Sequence, residues 1–260
     1  MRIPYKYAVA LTAALGLFMA VLDNTIVNVA LIPMANAFHT DLNAVQWVIT
    51  AYFLAQAAVI PAAGYLSSRL GVKQVFIACL ALFTIGSLLC GLSDIVQDSS
   101  GHPYIGLLIF FRVVQGIGGG ALFPLATAIA FSAFPPAERA SSSAVIGLPV
   151  LMAPSFGPTI GGLLIDSIGW QWIFFINVPV GILAIFLMVR IYKPENEQKD
   201  PNKAGRFDYV GLTLSMLGIV ALVYGFNQVS QRDPGTVTAT NPAGSIYGWG
   251  YWQVWAWVIA

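Results

Sequence analysis

Two ionisable side chains lie deep inside long apolar stretches of this 260-residue sequence, Asp23 and Arg112. A charged group at the centre of a bilayer costs about 2.5 to 3.5 kcal/mol on insertion scales. Such groups normally face the interior of a helix bundle, where they pair or mark the path of an ion. The chemistry open to this pair is reversible protonation of the carboxylate, with the guanidinium biasing its proton affinity. The alternative is a static ion pair that only holds two helices together.

Polar side chains accompany both charges. Asn24 and Asn28 share a helix face because they are four residues apart, and Gln115 shares the face of Arg112 at a spacing of three. We interpret six polar residues as lining a pathway through the interior: Asn24, Thr25, Asn28, Gln56, Gln115 and Asn177. Aromatic walls for a pocket are offered by Trp47, Tyr52, Phe110 and Phe111, although aromatic residues in membrane helices more often face lipid or core.

The composition excludes a water-facing globule, because 58% of the residues are hydrophobic and only 9% are charged, against about 25% charged in a typical soluble domain. Apolar runs of about 20 residues are the length that crosses a bilayer as a helix. We predict seven spans, at 8–33, 45–66, 74–93, 104–132, 141–165, 172–191 and 208–229. An eighth begins near Tyr251 and stops at Ala260, so we expect the chain to be incomplete.

Helix geometry predicts that Asp23 and Arg112 lie at a similar depth. With a rise of 1.5 Å per residue, a first helix that enters near Ala8 places Asp23 about 22 Å into a core about 30 Å thick. A fourth helix that enters from the opposite face near Tyr104 places Arg112 about 12 Å below that face. Both side chains are therefore expected in the same half of the bilayer.

The basic residues fix an orientation. If the amino terminus is cytoplasmic, ten of the twelve Lys and Arg residues are cytoplasmic, Arg112 lies in a span and Arg232 lies outside. The acidic residues show no such bias, as the positive-inside rule expects. The sequence therefore predicts a multi-pass protein of the cell membrane with a cytoplasmic amino terminus.

Small residues mark the fourth and fifth helices. The fourth contains Gly116 and Gly118 to Gly120, and no strand precedes them, which excludes a nucleotide-binding fingerprint. The fifth contains seven glycines and prolines: Gly147, Pro149, Pro154, Gly157, Pro158, Gly161 and Gly162. Glycines in lipid let helix backbones approach closely, and prolines favour a bend. We predict either plain helix packing or a bent, closely packed helix pair that moves.

Several motifs resemble the major facilitator superfamily, and in particular its fourteen-helix drug:proton antiporters. The first helix contains LDNTIVNVALIP, and the loop between the second and third helices contains GYLSSRLGVKQVF. The fourth helix contains RVVQGIGGG, and the fifth contains APSFGPTIGG, which resembles a motif typical of antiporters. Two later segments, WQWIFFINVPVGI and FDYVG, are also similar to the fourteen-helix branch.

The resemblance implies an all-α membrane fold. Residues 8–192 would form an amino-terminal bundle of six helices, built as two inverted three-helix repeats. Residues 193–207 would be a cytoplasmic linker, and residues 208–260 would hold a seventh helix, an external loop and a truncated eighth helix. The carboxy-terminal half of the transporter would be missing from this sequence.

The resemblance also implies proton-driven export of small amphipathic compounds, without a cofactor or a metal. Asp23 would bind the proton and Arg112 matches the arginine implicated in proton coupling. The loop residues Gly64, Arg69, Gly71 and Lys73 would gate the cytoplasmic side, although Ser68 stands where the family usually has an aspartate. The implied partners are the small-molecule substrate, protons and the lipid bilayer, and a net charge of +1 indicates no nucleic acid.

Other functions remain open from sequence. The same fold serves uptake or facilitated diffusion of a metabolite, and a membrane scaffold, a sensor or an inactive fragment would keep the fold without transport. An enzyme is not expected, because there is no phosphate-binding loop of the Walker type and no His or Cys cluster with metal-ligand spacing.

Overall fold

The computed structural model describes residues 4–97, 101, 103–193, 209–230, 232–233, 245–246 and 255–256. This part of the chain contains ten α-helices: α1 (Tyr5–Ile26), α2 (Leu31–Ala37), α3 (Leu42–Leu70), α4 (Val72–Gly91), α5 (Ile105–Gly120), α6 (Leu122–Ala133), α7 (Arg139–Ile168), α8 (Trp172–Phe175), α9 (Asn177–Ile191) and α10 (Tyr209–Ser230). Short 3-10 helices occur at Val27–Ala30, Ser93–Ile95 and Pro136–Glu138. Two short strands, β1 (Arg232–Asp233) and β2 (Ser245–Ile246), pair in the antiparallel sense.

Six stretches of the described chain are long and apolar enough to cross a membrane: Tyr5–Ala37, Leu42–Leu70, Val72–Ile95, Ile105–Ala133, Pro136–Ile168 and Trp172–Ile191. They confirm the six predicted spans of an all-α membrane bundle. The seventh predicted span coincides with α10. The predicted linker lies outside the described residues except for Lys193, and the predicted eighth helix does so except for residues 255–256.

Three of the spans are interrupted by prolines. Proline lacks an N–H and its ring clashes with the carbonyl four residues earlier. The carbonyl four residues before Pro33 belongs to the 3-10 segment Val27–Ala30. The carbonyl four residues before Pro124 is that of Gly120, where α5 ends, and the one before Pro179 is that of Phe175, where α8 ends. Each of these prolines is the third residue of the helix that follows. The first, fourth and sixth spans are therefore each built from two helical pieces.

The chain divides into two compact units, Met1–Phe207 and Asp208–Ala260. In the first unit, α1 packs against α6, α7 and α9, while α5 packs against α3 and α4. The first span thus contacts the fifth and sixth as the fourth contacts the second and third, which is the pairing that two three-helix repeats produce. The second unit contains α10 and the β1–β2 pair.

The bundle has two buried apolar clusters with a polar layer between them. On α1, Ala20 belongs to one cluster and Ile26 to the other, and Asp23 lies between them. On α5, Leu108 belongs to the second cluster, and Arg112 follows it one turn later. The packing that buries both clusters therefore also positions the two charges.

The turn between α3 and α4 consists of Gly71, which has a φ of 92°. This left-handed backbone conformation suits glycine because it has no Cβ. Nearby, Lys73 Nζ donates to the carbonyl oxygens of Val189 and Tyr192 at the end of α9. The turn and the last turn of α9 are thereby joined at the same end of the bundle.

Candidate functional site

Asp23 on α1 and Arg112 on α5 form a buried ion pair. Arg112 Nη1 lies 2.7 Å from Asp23 Oδ2, and their side chains are 1% and 0% exposed. The structure therefore brings together the two charges that the sequence singled out. Their fully buried position fits charges that face the bundle interior and away from lipid.

The carboxylate of Asp23 accepts three hydrogen bonds. Oδ2 accepts from Arg112, while Oδ1 accepts from Gln115 Nε2 and Asn177 Nδ2, each over 3.0 Å. All three partners are N–H donors, so a proton on the carboxyl would find no acceptor among them. This geometry fits the ionised form of Asp23.

Ser87 on α4 closes a ring of hydrogen bonds around the carboxylate. Its Oγ accepts from Gln115 Nε2 over 3.1 Å and from Asn177 Nδ2 over 3.0 Å, and donates to the carbonyl of Phe174 over 2.9 Å. Each amide NH2 group therefore gives one hydrogen to Asp23 and the other to Ser87. The ring fixes which way both amides point.

Sequence reasoning missed Ser87. A hydroxyl in a membrane helix usually bonds to its own backbone, as Thr84 on the same helix does to the Leu80 carbonyl over 2.7 Å. Nothing in the sequence distinguishes these two hydroxyls. Only the approach of α5, α8 and α9 shows that Ser87 faces the ion pair.

Arg112 has further contacts that hold its guanidinium in place. Its Nε donates to the Val48 carbonyl over 3.1 Å, and its Nη1 also donates to Gln115 Oε1 over 2.8 Å. The guanidinium carbon lies 3.9 Å from the ring centre of Tyr52, which is within the range of a cation–π contact. Arg112 is thus oriented from α1, α3 and α5 together.

A cavity of about 410 Å³ lies beside this network, lined by α1, α3, α5 and α6. Its polar side chains are Asn24 and Gln56, and the remaining walls are apolar or glycine. Gln56 Nε2 donates to the hydroxyl of Tyr52 over 2.8 Å. Asn24 Oδ1 is buried and accepts no hydrogen bond from the described residues. A cavity of this kind suits an amphipathic small molecule.

Two of the predicted pathway residues lie elsewhere. Thr25 Oγ1 donates to the Leu22 carbonyl over 2.9 Å and lies 3.5 Å from the Ala153 carbonyl of α7, so it belongs to a helix contact. Asn28 is exposed, and its Nδ2 donates to the backbone carbonyl of Asn24 over 2.9 Å. Neither lines the cavity or joins the ring around Asp23, since their side chains are engaged locally.

The aromatic walls also differ from the prediction. Phe110 is 59% exposed at the bundle surface, and Phe111 packs against the apolar cluster around Leu108. Trp47, Phe110 and Phe111 do not line the cavity, where Phe123 supplies the aromatic ring instead. Tyr52 contacts the network described above, through Arg112 and Gln56.

The glycines and prolines of α7 divide between two faces. Gly157 and Gly161 are buried against α1, where a Cβ on Gly157 would lie 2.1 Å from Thr25 Oγ1 and one on Gly161 would lie 2.8 Å from Ile26. Gly147 and Gly162 have open space instead, and Pro154 and Pro158 are exposed. Despite Pro149, Pro154 and Pro158, α7 runs without interruption from Arg139 to Ile168. Proline does interrupt three other spans.

The predicted gating loop surrounds the α3–α4 turn. The Arg69 guanidinium lies 5.1 Å from the ring centre of Tyr65, and Ser68 Oγ donates to the Tyr65 carbonyl over 2.8 Å. Gly64 is exposed with open space beside it, and Lys73 bonds to the end of α9. In the part of the chain that the structure describes, no cluster of three His, Cys, Asp or Glu residues could hold a metal ion.

The sequence that forms this bundle matches a known protein family. The model described as Major Facilitator Superfamily matches residues 13–260. The chain belongs to the major facilitator superfamily. With six apolar spans, this superfamily member is a multi-pass membrane protein.

Three relatives indicate a branch of the superfamily. The chain is 38% identical over 214 residues to the multidrug resistance protein B homolog of Mycobacterium tuberculosis, covering 82% of this chain and 37% of that protein. It is 38% identical over 216 residues to the multidrug export protein EmrB of Escherichia coli, covering 82% and 40%. It is 37% identical over 214 residues to the fatty acid resistance protein FarB of Neisseria gonorrhoeae, also covering 82% and 40%. The chain spans about two fifths of the length of these curated relatives.

Solved structures of the superfamily share the fold. The crystal structure of D-xylose-proton symporter superposes with a TM-score of 0.66 at 13% identity, covering 85% of this chain and 58% of that one. The human organic anion transporter MFSD10 gives 0.61 at 18% identity, covering 90% and 57%. At these identities the likeness establishes the six-helix fold alone.

Proposed function

We propose that this chain supplies the amino-terminal half of a proton-coupled antiporter that exports small amphipathic compounds. The observation that carries the proposal is the buried Asp23–Arg112 pair, with its ring of amide donors, beside a cavity that contains two polar groups. A membrane bundle keeps such charges in its interior at considerable cost, and they typically mark an ion path.

The relatives support export over other modes of transport. Two of the most similar proteins are named for multidrug resistance or multidrug export, and a third for resistance to fatty acids. Those names describe proteins of which the segment matched by this chain is about two fifths. The proposal therefore includes a second half, which would face the cavity and complete the pathway.

Protonation of Asp23 is the proposed coupling step. A proton that binds Asp23 converts the carboxylate into a neutral acid with an O–H among three N–H donors. At least one of these donors must then withdraw, which weakens the tie between α1 and its neighbours α5 and α9. Arg112 keeps the Val48 carbonyl, Gln115 and the Tyr52 ring as partners, so its guanidinium need not move away when Asp23 binds the proton.

The other predicted elements take supporting roles in this proposal. Gly64, Arg69, Gly71 and Lys73 gate the cytoplasmic side, with the amino terminus cytoplasmic as the basic residues indicate. The buried glycine face of α7 provides the surface along which helices shift. The proton gradient drives transport, and the proposal needs no cofactor and no enzymatic activity.

The test is transport by a full-length version reconstituted in vesicles. With an imposed pH gradient, we expect efflux of ethidium by the unaltered protein and its loss in Asp23→Asn. Arg190→Gln, which changes an exposed arginine at the end of α9, serves as the control and should retain efflux. Efflux that persists in Asp23→Asn would exclude the proton role. Uptake with the same gradient would indicate the opposite direction of transport, and no flux in any variant would favour a scaffold or sensor.

A further inference from the structure

One face of α3 connects the cavity to the ion pair. Val48, Tyr52 and Gln56 are spaced by four residues, so they follow one another along that face. Gln56 lines the cavity and donates to the Tyr52 hydroxyl over 2.8 Å. The Tyr52 ring lies 3.9 Å from the guanidinium carbon of Arg112, and the Val48 carbonyl accepts from Arg112 Nε. The contacts from cavity to carboxylate are therefore continuous.

The glycines of α5 make this arrangement possible. A Cβ on Gly116 would lie 2.6 Å from the Tyr52 carbonyl, and a Cβ on Gly120 would lie 2.4 Å from the Gln56 carbonyl. A Cβ on Gly119 would lie 2.9 Å from both the Tyr52 hydroxyl and Gln56 Nε2. Because α5 has no side chain at these positions, its backbone lies directly against α3. Tyr52 is consequently held against Arg112 with no exposed surface.

An unsatisfied acceptor lies on a residue that lines the cavity. Asn24 Oδ1 is buried without a hydrogen-bond partner among the described residues, and an unsatisfied buried acceptor is costly. A compound with an N–H group would satisfy this oxygen once the Asn24 side chain turns toward the cavity. Asn24 also follows Asp23 directly on α1, so the ligand and the proton would be bound on one helical turn.

We infer that Tyr52 and Gln56 are positioning residues through which a ligand in this cavity acts on the Arg112–Asp23 pair. The inference rests on the proposed function and deepens it. In the arrangement seen here, the cavity, the Gln56–Tyr52 bond and the ionised pair exist together. A ligand that binds this arrangement favours it over others, and so favours the ionised form of Asp23. By linkage, deprotonation of Asp23 strengthens ligand binding by the same factor.

Few other titratable groups could produce this pH dependence. The ionisable side chains that contact the ion pair or its amide partner Gln115 are Arg112 from α5, Tyr52 from α3 and Cys90 from α4. The sequence of α6 contains none, and α8 and α9 present Phe174 and Asn177 to the site. The ionisable residues of α7 and α9 lie in their first or last turns: Arg139, Asp166 and Arg190.

The experiment measures the dissociation constant of ethidium for the detergent-solubilised full-length version between pH 6 and pH 8. Ethidium has aromatic amino groups for Asn24, and its ring nitrogen carries a fixed positive charge, so a pH dependence reports on the protein. We expect the unaltered protein to bind more tightly as the pH rises. Tyr52→Phe keeps the aromatic ring and removes the bond to Gln56. We expect this variant to bind ethidium at pH 6 as the unaltered protein does. The increase in its affinity from pH 6 to pH 8 should be smaller by a factor of about two to ten.

Tyr7→Phe is the matched control, because it removes a hydroxyl from another aromatic ring, one that is partly buried and packs against Phe134. It should keep the full pH dependence. Gly119→Ala disturbs the Tyr52–Gln56 bond from α5 and should reproduce the loss seen in Tyr52→Phe. A full pH dependence in both Tyr52→Phe and Gly119→Ala would overturn the inference.

Asp23→Asn separates failure of this inference from failure of the proposed function. If Asp23→Asn abolishes the pH dependence while Tyr52→Phe retains it, only the link through Tyr52 is wrong. If Asp23→Asn retains the pH dependence, or the unaltered protein shows none, the proposed coupling is wrong and the inference falls with it.

Discussion

Arg112 Nη1 donates to Asp23 Oδ2 over 2.7 Å although 89 residues separate the two along the chain. The pair joins the first span to the fourth, and its partners extend to the second, third and sixth through Tyr52, Ser87 and Asn177. A single carboxylate is thus in direct or indirect contact with five of the six spans. A change in its charge would alter hydrogen bonds or contacts in most spans of the bundle.

Removal of one member of the ion pair should destabilise the bundle strongly. Arg112→Gln leaves an uncompensated charge on buried Asp23, and loss of one partner of a buried pair costs about 3–5 kcal/mol. The double variant Asp23→Asn with Arg112→Gln removes both charges and should recover much of this loss. The measurement is the thermal unfolding midpoint in detergent, with Arg190→Gln as the exposed control. Equal destabilisation by the single and the double variants would contradict this account.

Ser87→Ala should destabilise the protein by about 1–3 kcal/mol, because it leaves one N–H of Gln115 and one of Asn177 without their acceptor. Ser143→Ala is a suitable control, since Ser143 is exposed and bonds to the Arg139 carbonyl of its own helix. Thermal unfolding midpoints compare the two variants. If Ser87→Ala unfolds at the same temperature as Ser143→Ala, the ring around Asp23 contributes little to stability.

Gly157→Ala should push α7 away from α1, because its Cβ would lie 2.1 Å from Thr25 Oγ1. Overpacking of this kind costs about 1–3 kcal/mol. Gly162→Ala lies on the same helix with open space around it and should be neutral. Thr25→Ala combined with Gly157→Ala removes the clashing oxygen and should restore part of the loss. Unfolding midpoints of these three variants test the contact, and identical midpoints for Gly157→Ala and Gly162→Ala would refute it.

The proposed orientation predicts which loops meet a reagent from outside the cell. Asn43→Cys, in the exposed first turn of α3, should react with a membrane-impermeant maleimide on intact cells. Ala137→Cys, exposed between α6 and α7, should react only after the membrane is permeabilised. Both are made in a background in which Cys79 and Cys90 are replaced by alanine. The reverse labelling pattern would place the amino terminus outside.

The meeting of Asp23 and Arg112 could be predicted because it depends on two constants, the rise of a helix and the thickness of a bilayer. Gln115 followed from its spacing to Arg112. The roles of Ser87 and Tyr52 could not be predicted, because they depend on how α4 and α3 are rotated about their axes. That rotation is set by contacts with α5, including those at its glycines.

The positions of the helix interruptions also could not be predicted from the sequence. Prolines are present in α3 and α7 as well as in the first, fourth and sixth spans. In a membrane, neighbouring groups can satisfy the backbone atoms that a proline frees. A proline therefore permits an interruption without requiring one. Whether a helix is interrupted at a proline depends on the local surroundings of each ring.

The polar ring around Asp23 has members or bonded backbone on α1, α3, α4, α5, α8 and α9, and it includes none of the described residues of α7. Where α7 meets α1, the contact rests mainly on the shape of Gly157 and Gly161 against Thr25 and Ile26. Contacts of this kind have no fixed direction, so a small slide replaces each one with another of similar strength. Five spans therefore share one network of directional hydrogen bonds around a single charge, whereas the fifth span meets the first mainly through the fit of two glycines.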